Sequence, residues 1–251
     1  MTTPKVLFLA WQCPTTRSIV PVGRLLALGA SGYEFSYIRA ARSAVDQGFA
    51  PLVAFPDLEA VYRSRELPAL FQNRVMPTSR PEYPSFVREL GLEVDTTPMD
   101  ILARSGGLRR TDELEVFAPP HVSSDGTRTM HVLARAVRHI PHAEEAIAGL
   151  SAGTQLLVAA DYQNDKAAHA RLLRTADARL VGYLPDYLAA EVEKWPLSAQ
   201  KELRVVVDRV NLPPAPTSQR LLCRVELPAG CNVLSGEEYL PIAADATRVA
   251  A

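Results

Sequence analysis

The sequence predicts an α+β fold in two parts, a small N-terminal α/β domain over residues 1–120 and a small β-barrel domain over residues 121–251. Three observations predict it. Before residue 118, short apolar runs of strand character alternate with segments of helical spacing. Between 118 and 128 the chain is broken by Pro119-Pro120 and by Ser123-Ser-Asp-Gly126, which is turn chemistry. Beyond 128, short strands follow one another with few helices, the pattern of a small barrel.

In the first part, residues 5–11 read as a buried strand, short, apolar and bounded by polar residues and a proline. Pro21 to Leu28 and Tyr33 to Ile38 are two more strands, joined by a turn at Gly29-Ala-Ser-Gly32. Arg39 to Gln47 has helical spacing and stops at Gly48. Leu58 to Tyr62 and Leu67 to Asn73 read as short helical pieces, Pro81 to Leu90 and Pro98 to Ser105 as helices with proline at the start and glycine after the end. Glu113 to Phe117 is a strand. In the second part, strands are expected at Thr129 to Val137, Gln155 to Ala160, Ala170 to Arg174, Arg179 to Gly182, Leu203 to Val210 and Gln219 to Leu227. Helices are expected at Glu144 to Leu150 and Pro185 to Trp195, the latter with Tyr187, Leu188, Val192 and Trp195 at core spacing.

The bulk numbers restrict function. Of 251 residues, 47% are hydrophobic and 22% charged, a globular balance with enough material for a packed core. No run of eighteen apolar residues occurs, and the start lacks a signal-peptide pattern. The three cysteines are scattered, which argues against a disulfide scaffold and for a reducing compartment. A cytoplasmic protein is expected. Charge is flat along the chain: residues 1–120 carry thirteen basic and thirteen acidic side chains, residues 121–220 twelve and eleven. A broad duplex-binding face needs a basic excess, so any nucleic-acid binding must rest on a few placed groups.

Residues about 129–210 resemble a HIRAN domain, the module of fork-remodelling helicases and of many bacterial proteins. The resemblance lies in Val132-Leu-Ala-Arg-Ala-Val-Arg-His139, Gly149-Leu-Ser-Ala-Gly-Thr-Gln-Leu156, Asp161-Tyr-Gln-Asn-Asp-Lys-Ala-Ala-His-Ala170 and, most specifically, Leu180-Val-Gly-Tyr-Leu-Pro-Asp-Tyr-Leu-Ala189. It implies an OB-like β-barrel that holds single-stranded DNA, notably a free 3′ end. Two departures from the family pattern stand out. Ala167 replaces an aspartate, and Asp186 stands where the helicase versions commonly carry a basic residue. Residues about 18–120 are similar to the small N-terminal subdomain of HipA-type kinases. This rests on Pro21-Val-Gly-Arg-Leu25, Tyr33-Glu-Phe-Ser-Tyr37, Phe71-Gln-Asn-Arg-Val-Met-Pro77 and Asp100-Ile-Leu-Ala-Arg-Ser-Gly-Gly107. It implies a protein-docking part. No Gly-rich phosphate loop, catalytic Asp with a downstream Asn, or metal-binding Asp-Phe pair follows, so no kinase activity is expected.

The resemblance places Arg138 and His139 at the DNA end, with Asn164, Lys166 and Tyr183 completing the nucleic-acid-binding set. Arginine can fork onto a phosphate and stack on a base, although Arg138 read alone is equally a solvated strand-edge residue. Tyr183 either offers a stacking face or caps the barrel core. Lys166 either reaches phosphate or is solvated in a polar turn, the commoner fate. His131, His139 and His142 have no cysteine pair beside them, and a metal site is not expected. Arg104 and Arg109-Arg110 either touch a phosphate backbone or balance Asp112, Glu113 and Glu115. No hydrolase site, catalytic residue or cofactor is expected. The chain is therefore expected to bind single-stranded or 3′-end-containing DNA in genome maintenance or defence against mobile DNA, with a protein partner at the N-terminal domain. The alternative is a protein-interaction scaffold or antitoxin-like partner without DNA binding.

Overall fold

The structure, a computed structural model, describes residues 6–109, 111–164 and 167–243. It divides into two units. The first gathers Met1–Arg80, Thr96–Pro119 and Leu234–Ala251; the second gathers Pro81–Asp95 and Pro120–Val233. The two-part reading cut the chain once, between 120 and 121. The structural units instead exchange one segment in each direction.

In the first unit, β1 (Val6–Gln12), β2 (Ile19–Ala27), β3 (Tyr33–Tyr37), β4 (Val61–Ser64) and β5 (Leu114–Phe117) form an antiparallel sheet in the order β4-β3-β2-β1-β5. β1 lies between β2 and β5, and its residues Leu7 to Trp11 are all buried, which is why it is apolar without alternation. The first unit also holds α1 (Ala40–Asp46), α2 (Ala69–Gln72) and α4 (Pro98–Ser105), whereas α3 (Tyr83–Glu89), between α2 and α4 in the chain, belongs to the second unit. α1, α2 and α4 bury Ala41, Phe71 and Met99 in one core with Leu9, Leu25, Phe35 and Tyr37. Burial pushes the Tyr37 phenol up to about 12, and its hydroxyl donates to the carbonyl of Phe55 and accepts the Leu52 amide, both at 2.7 Å. Residues 58–62, expected to be helical, instead lead into β4. Its side chains alternate between exposed and half-buried against β3, the pattern of an edge strand.

The second unit holds α3 and a curled sheet of β6 (His121–Val122), β7 (Arg128–Leu133), β8 (Gln155–Ala160), β9 (Arg171–Arg174), β10 (Leu180–Tyr183), β11 (Arg204–Val210) and β12 (Leu221–Leu227). Their order is β10-β9-β8-β11-β12-β7-β6. Beside it lie α5 (Ala143–Ala148), α6 (Asp186–Glu193) and α7 (Leu197–Glu202). α3 is tied in by the Asn211 amide, which donates to the Glu89 carbonyl at 2.8 Å. The curl brings Arg135, just past β7, onto Tyr183 at the end of β10, and the two exchange backbone hydrogen bonds of 2.8 and 3.0 Å. The sheet is thus a half-barrel that touches itself at one point, consistent with an OB-like α+β fold.

Two stretches of the second part depart from the sequence expectation. The strand expected over 129–137 ends at Leu133, because Ala136 adopts φ +57° and turns the chain into a 3-10 turn at Val137–His139. The last stretch, 234–243, does not extend the barrel. It joins the first unit, where Tyr239 meets Phe8 edge-on at 5.0 Å and the Ile242 amide donates to the Tyr37 carbonyl at 3.0 Å. Among the described residues no helix is long and apolar enough to cross a membrane.

Candidate nucleic-acid interface

The site is built around the point where the half-barrel touches itself. Antiparallel partners present their side chains on one face, so Arg135, Tyr183, Leu172 and Ala159 are neighbours across β7's continuation, β10, β9 and β8. Two residues beyond Ala159, Asp161 falls on the same face, and the Tyr183 hydroxyl donates to its carboxylate at 2.9 Å. The Asn164 amide donates to the same carboxylate oxygen at 3.3 Å, and Asn164 Oδ1 accepts the Ala167 amide at 3.0 Å. The other carboxylate oxygen accepts the Gln163 amide at 3.3 Å. Asp161 to Asn164 is therefore a turn held by its own side chains, with the Asp161 and Asn164 polar groups oriented before any ligand arrives. Partial burial and the Asp161 carboxylate raise the Tyr183 phenol above its ordinary range, so it stays a donor.

Arg138 and His139 lie on the 3-10 turn, both exposed. Val137 between that turn and the barrel is buried, and its methyl group lies 3.6 Å from where a Cβ on Gly182 would stand. Arg138 Nε donates to His139 Nε2 at 2.9 Å, which fixes the ring as the tautomer protonated at Nδ1. The four terminal N–H groups of the guanidinium remain available for a ligand.

Of the residues singled out from sequence, the structure joins Asn164 to Tyr183 through Asp161, and places Arg138 and His139 on the turn that starts two residues after Arg135. It shows no direct bond from either to Tyr183. Lys166 lies outside the described residues. Asp161 and Arg135 were not singled out, although an Asp three residues before an Asn is a turn signal and Arg135 stands inside the quoted segment. The basic cluster of Arg104 and Arg109 belongs to the first unit.

No family model matches the chain, and no curated protein matches it. Two solved structures align with parts of it. One is the HIRAN domain of human HLTF, at 10% identity over 39% of this chain and 74% of that chain, with a TM-score of 0.29. The other is a protein from Lactobacillus plantarum, at 16% identity over 39% of this chain and 89% of that chain, with a TM-score of 0.30. Similarity at this level assigns neither fold nor function.

Proposed function

We propose that the second unit binds the free 3′ end of a single DNA strand at the closure of the half-barrel. The observation that carries this reading is the set of groups gathered there: an unengaged guanidinium fork on Arg138, the Tyr183 ring, and the hydrogen-bonding carboxylate of Asp161. Each suits one part of a terminal nucleotide. The Arg138 fork takes a phosphate with two parallel hydrogen bonds. Tyr183 or His139 stacks a base, each stack contributing on the order of 1–3 kcal/mol. Asp161 accepts a terminal hydroxyl and repels a terminal phosphate, which gives the site a reason to prefer a free end. The resemblance of residues 129–210 to HIRAN domains points the same way. The first unit serves as a protein-docking part in this reading, within genome maintenance or defence against mobile DNA, and neither unit carries out turnover.

Binding of labelled single strands with free and 3′-blocked ends tests it, in parent and Arg138→Ala chains. The free end should bind more tightly, and Arg138→Ala should lose most of the binding while melting like the parent, because an exposed arginine contributes little to stability. Equal binding of free and blocked strands, or parent-like binding by Arg138→Ala, would leave the scaffold role as the better account.

A further inference from the structure

The Tyr183 site is one end of a longer surface. Along β8 the outward side chains are Leu157 and Ala159; along β9, Leu172 and Arg174; along β10, Leu180 and Tyr183. Leu157 pairs with Arg174 and Arg174 with Leu180, so the three stand side by side across the sheet, one row away from Ala159, Leu172 and Tyr183. The opposite faces of these strands are closed: Leu156, Leu173 and Val181 are buried. Leu157, on the inner strand β8, is 41% exposed, and Leu180, on the end strand β10, is 37% exposed.

Arg174 is the unexplained group. Its Nε is shielded from solvent with no hydrogen-bond partner, and no carboxylate pairs with its guanidinium among the described residues. The contrast with the other arginine of the same strand is sharp. Arg171, on the inner face, is tied to Glu193, Gln200 and two backbone carbonyls. Among the described residues, Asp177 is already engaged by Arg179 at 2.8 Å and by Thr175, and Asp161 by Tyr183 and Asn164. An unpaired cation between two half-exposed leucines suits a ligand that repeats an anion and an apolar ring.

We infer that this outward face of β8, β9 and β10 carries the single strand as it leaves the terminal site, with Arg174 holding the phosphate one row from Tyr183 and Leu157 and Leu180 lying under a base. The two rows are two residues apart along β9, about 6.6–6.8 Å, so a strand running along β9 meets the tyrosine and then the arginine. The inference rests on the end-binding reading and adds the path and polarity of the strand beyond its last nucleotide.

The test compares a dinucleotide with a strand of about ten nucleotides, both with free 3′ ends, on the full chain and on Arg174→Gln and Leu180→Glu. Arg174→Gln should weaken the longer strand about tenfold, leave the dinucleotide unchanged, and reduce the slope of log affinity against log salt by about 0.7, the share of one phosphate. Leu180→Glu, which puts a negative charge beside Arg174 on a partly exposed position, should weaken only the longer strand. A ribose strand of the same sequence should lose affinity to both substitutions in parallel, since phosphate and base stacking are common to both. If both variants bind the longer strand like the parent, the inference falls, the terminal site stands, and the face belongs to a protein partner. If the parent chain binds neither strand, the end-binding reading falls and takes this one with it.

Discussion

At Gly182 the backbone φ is +149°, and a Cβ would stand 2.9 Å from the Ala134 Cβ and 3.1 Å from the Arg135 carbonyl oxygen. Those two neighbours are the strand that closes the half-barrel, so the missing side chain lets Arg135 and Tyr183 exchange their hydrogen bonds. Gly182→Ala should cost about 1–3 kcal/mol in chemical denaturation, from overpacking together with a strained φ, and should weaken strand binding more than a comparable loss elsewhere. Unchanged stability would mean that the two strands part easily. A second residue sets a pH response. Complete burial, with Asp208 adding to it, pushes the Cys223 thiol up to about 12 from its ordinary 9.0. In the unfolded chain the thiol ionises near pH 9 and in the folded chain near 12. Its contribution to stability is therefore whole below pH 9 and is lost as pH rises toward 12. Melting temperature against pH should fall less steeply in that window for Cys223→Ala than for the parent, and identical slopes would contradict the assignment.

Most elements were legible as elements, and what misled was local ambiguity that only pairing resolves. The run Arg171-Leu-Leu-Arg174 reads the same from either end, so nothing in it says which arginine faces inward. The register of β9 against β8 decides that, and a one-residue slip would exchange the two roles. Leu58 to Tyr62 is too short for period alone to separate helix from edge strand, and β7 ends early because of a left-handed Ala136 that no turn residue announces. α7, unforeseen, starts after Pro196, and the Gln200 amide reaches back to the Trp195 carbonyl at 2.9 Å. The site was legible in part. Arg138, His139, Asn164 and Tyr183 came from the resemblance, whereas Asp161 enters through a bond between residues twenty-two apart. At the joint between β9, α6 and α7, the Arg171 guanidinium holds Glu193 and Gln200. The Arg171 side chain is 5% exposed and the Glu193 side chain 42%. Arg171→Met keeps the stem and removes the fork, so it should cost about 1–3 kcal/mol, because mainly neutral acceptors lose their partner while Glu193 can turn to water. A loss above that range would mean that Glu193 stays buried and unpaired.

For the whole molecule, flat charge limits how a nucleic acid can be held. With 27 basic against 28 acidic side chains and, among the described residues, Arg135, Arg138 and Arg174 around the proposed path, about three phosphates can be neutralised. The slope of log affinity against log salt for a single strand should then be near −2, and a slope several times steeper would point to a basic face elsewhere. The exchange of segments between the units is the other molecular property, and sequence gave no local sign of it. The Pro119-Pro120 break does coincide with a unit boundary, between Pro119 and Pro120, yet the first unit also needs Leu234–Ala251. Ile242 is fully buried in that unit's core and Tyr239 is 6% exposed against Phe8. Burying each is worth about 1.5–3 kcal/mol, and together they approach the 5–15 kcal/mol that separates a folded domain from its unfolded chain. A chain truncated after Val233 should therefore lose hydrogen-exchange protection across β1, β2, β3 and β5 while β7, β8, β11 and β12 stay protected, since the second unit ends at Val233. Strand binding should survive the same truncation, because every residue of the proposed site lies in the second unit. Protection kept across β1 would show that the first core closes without Ile242, and protection lost in both sheets would show that the two units fold as one.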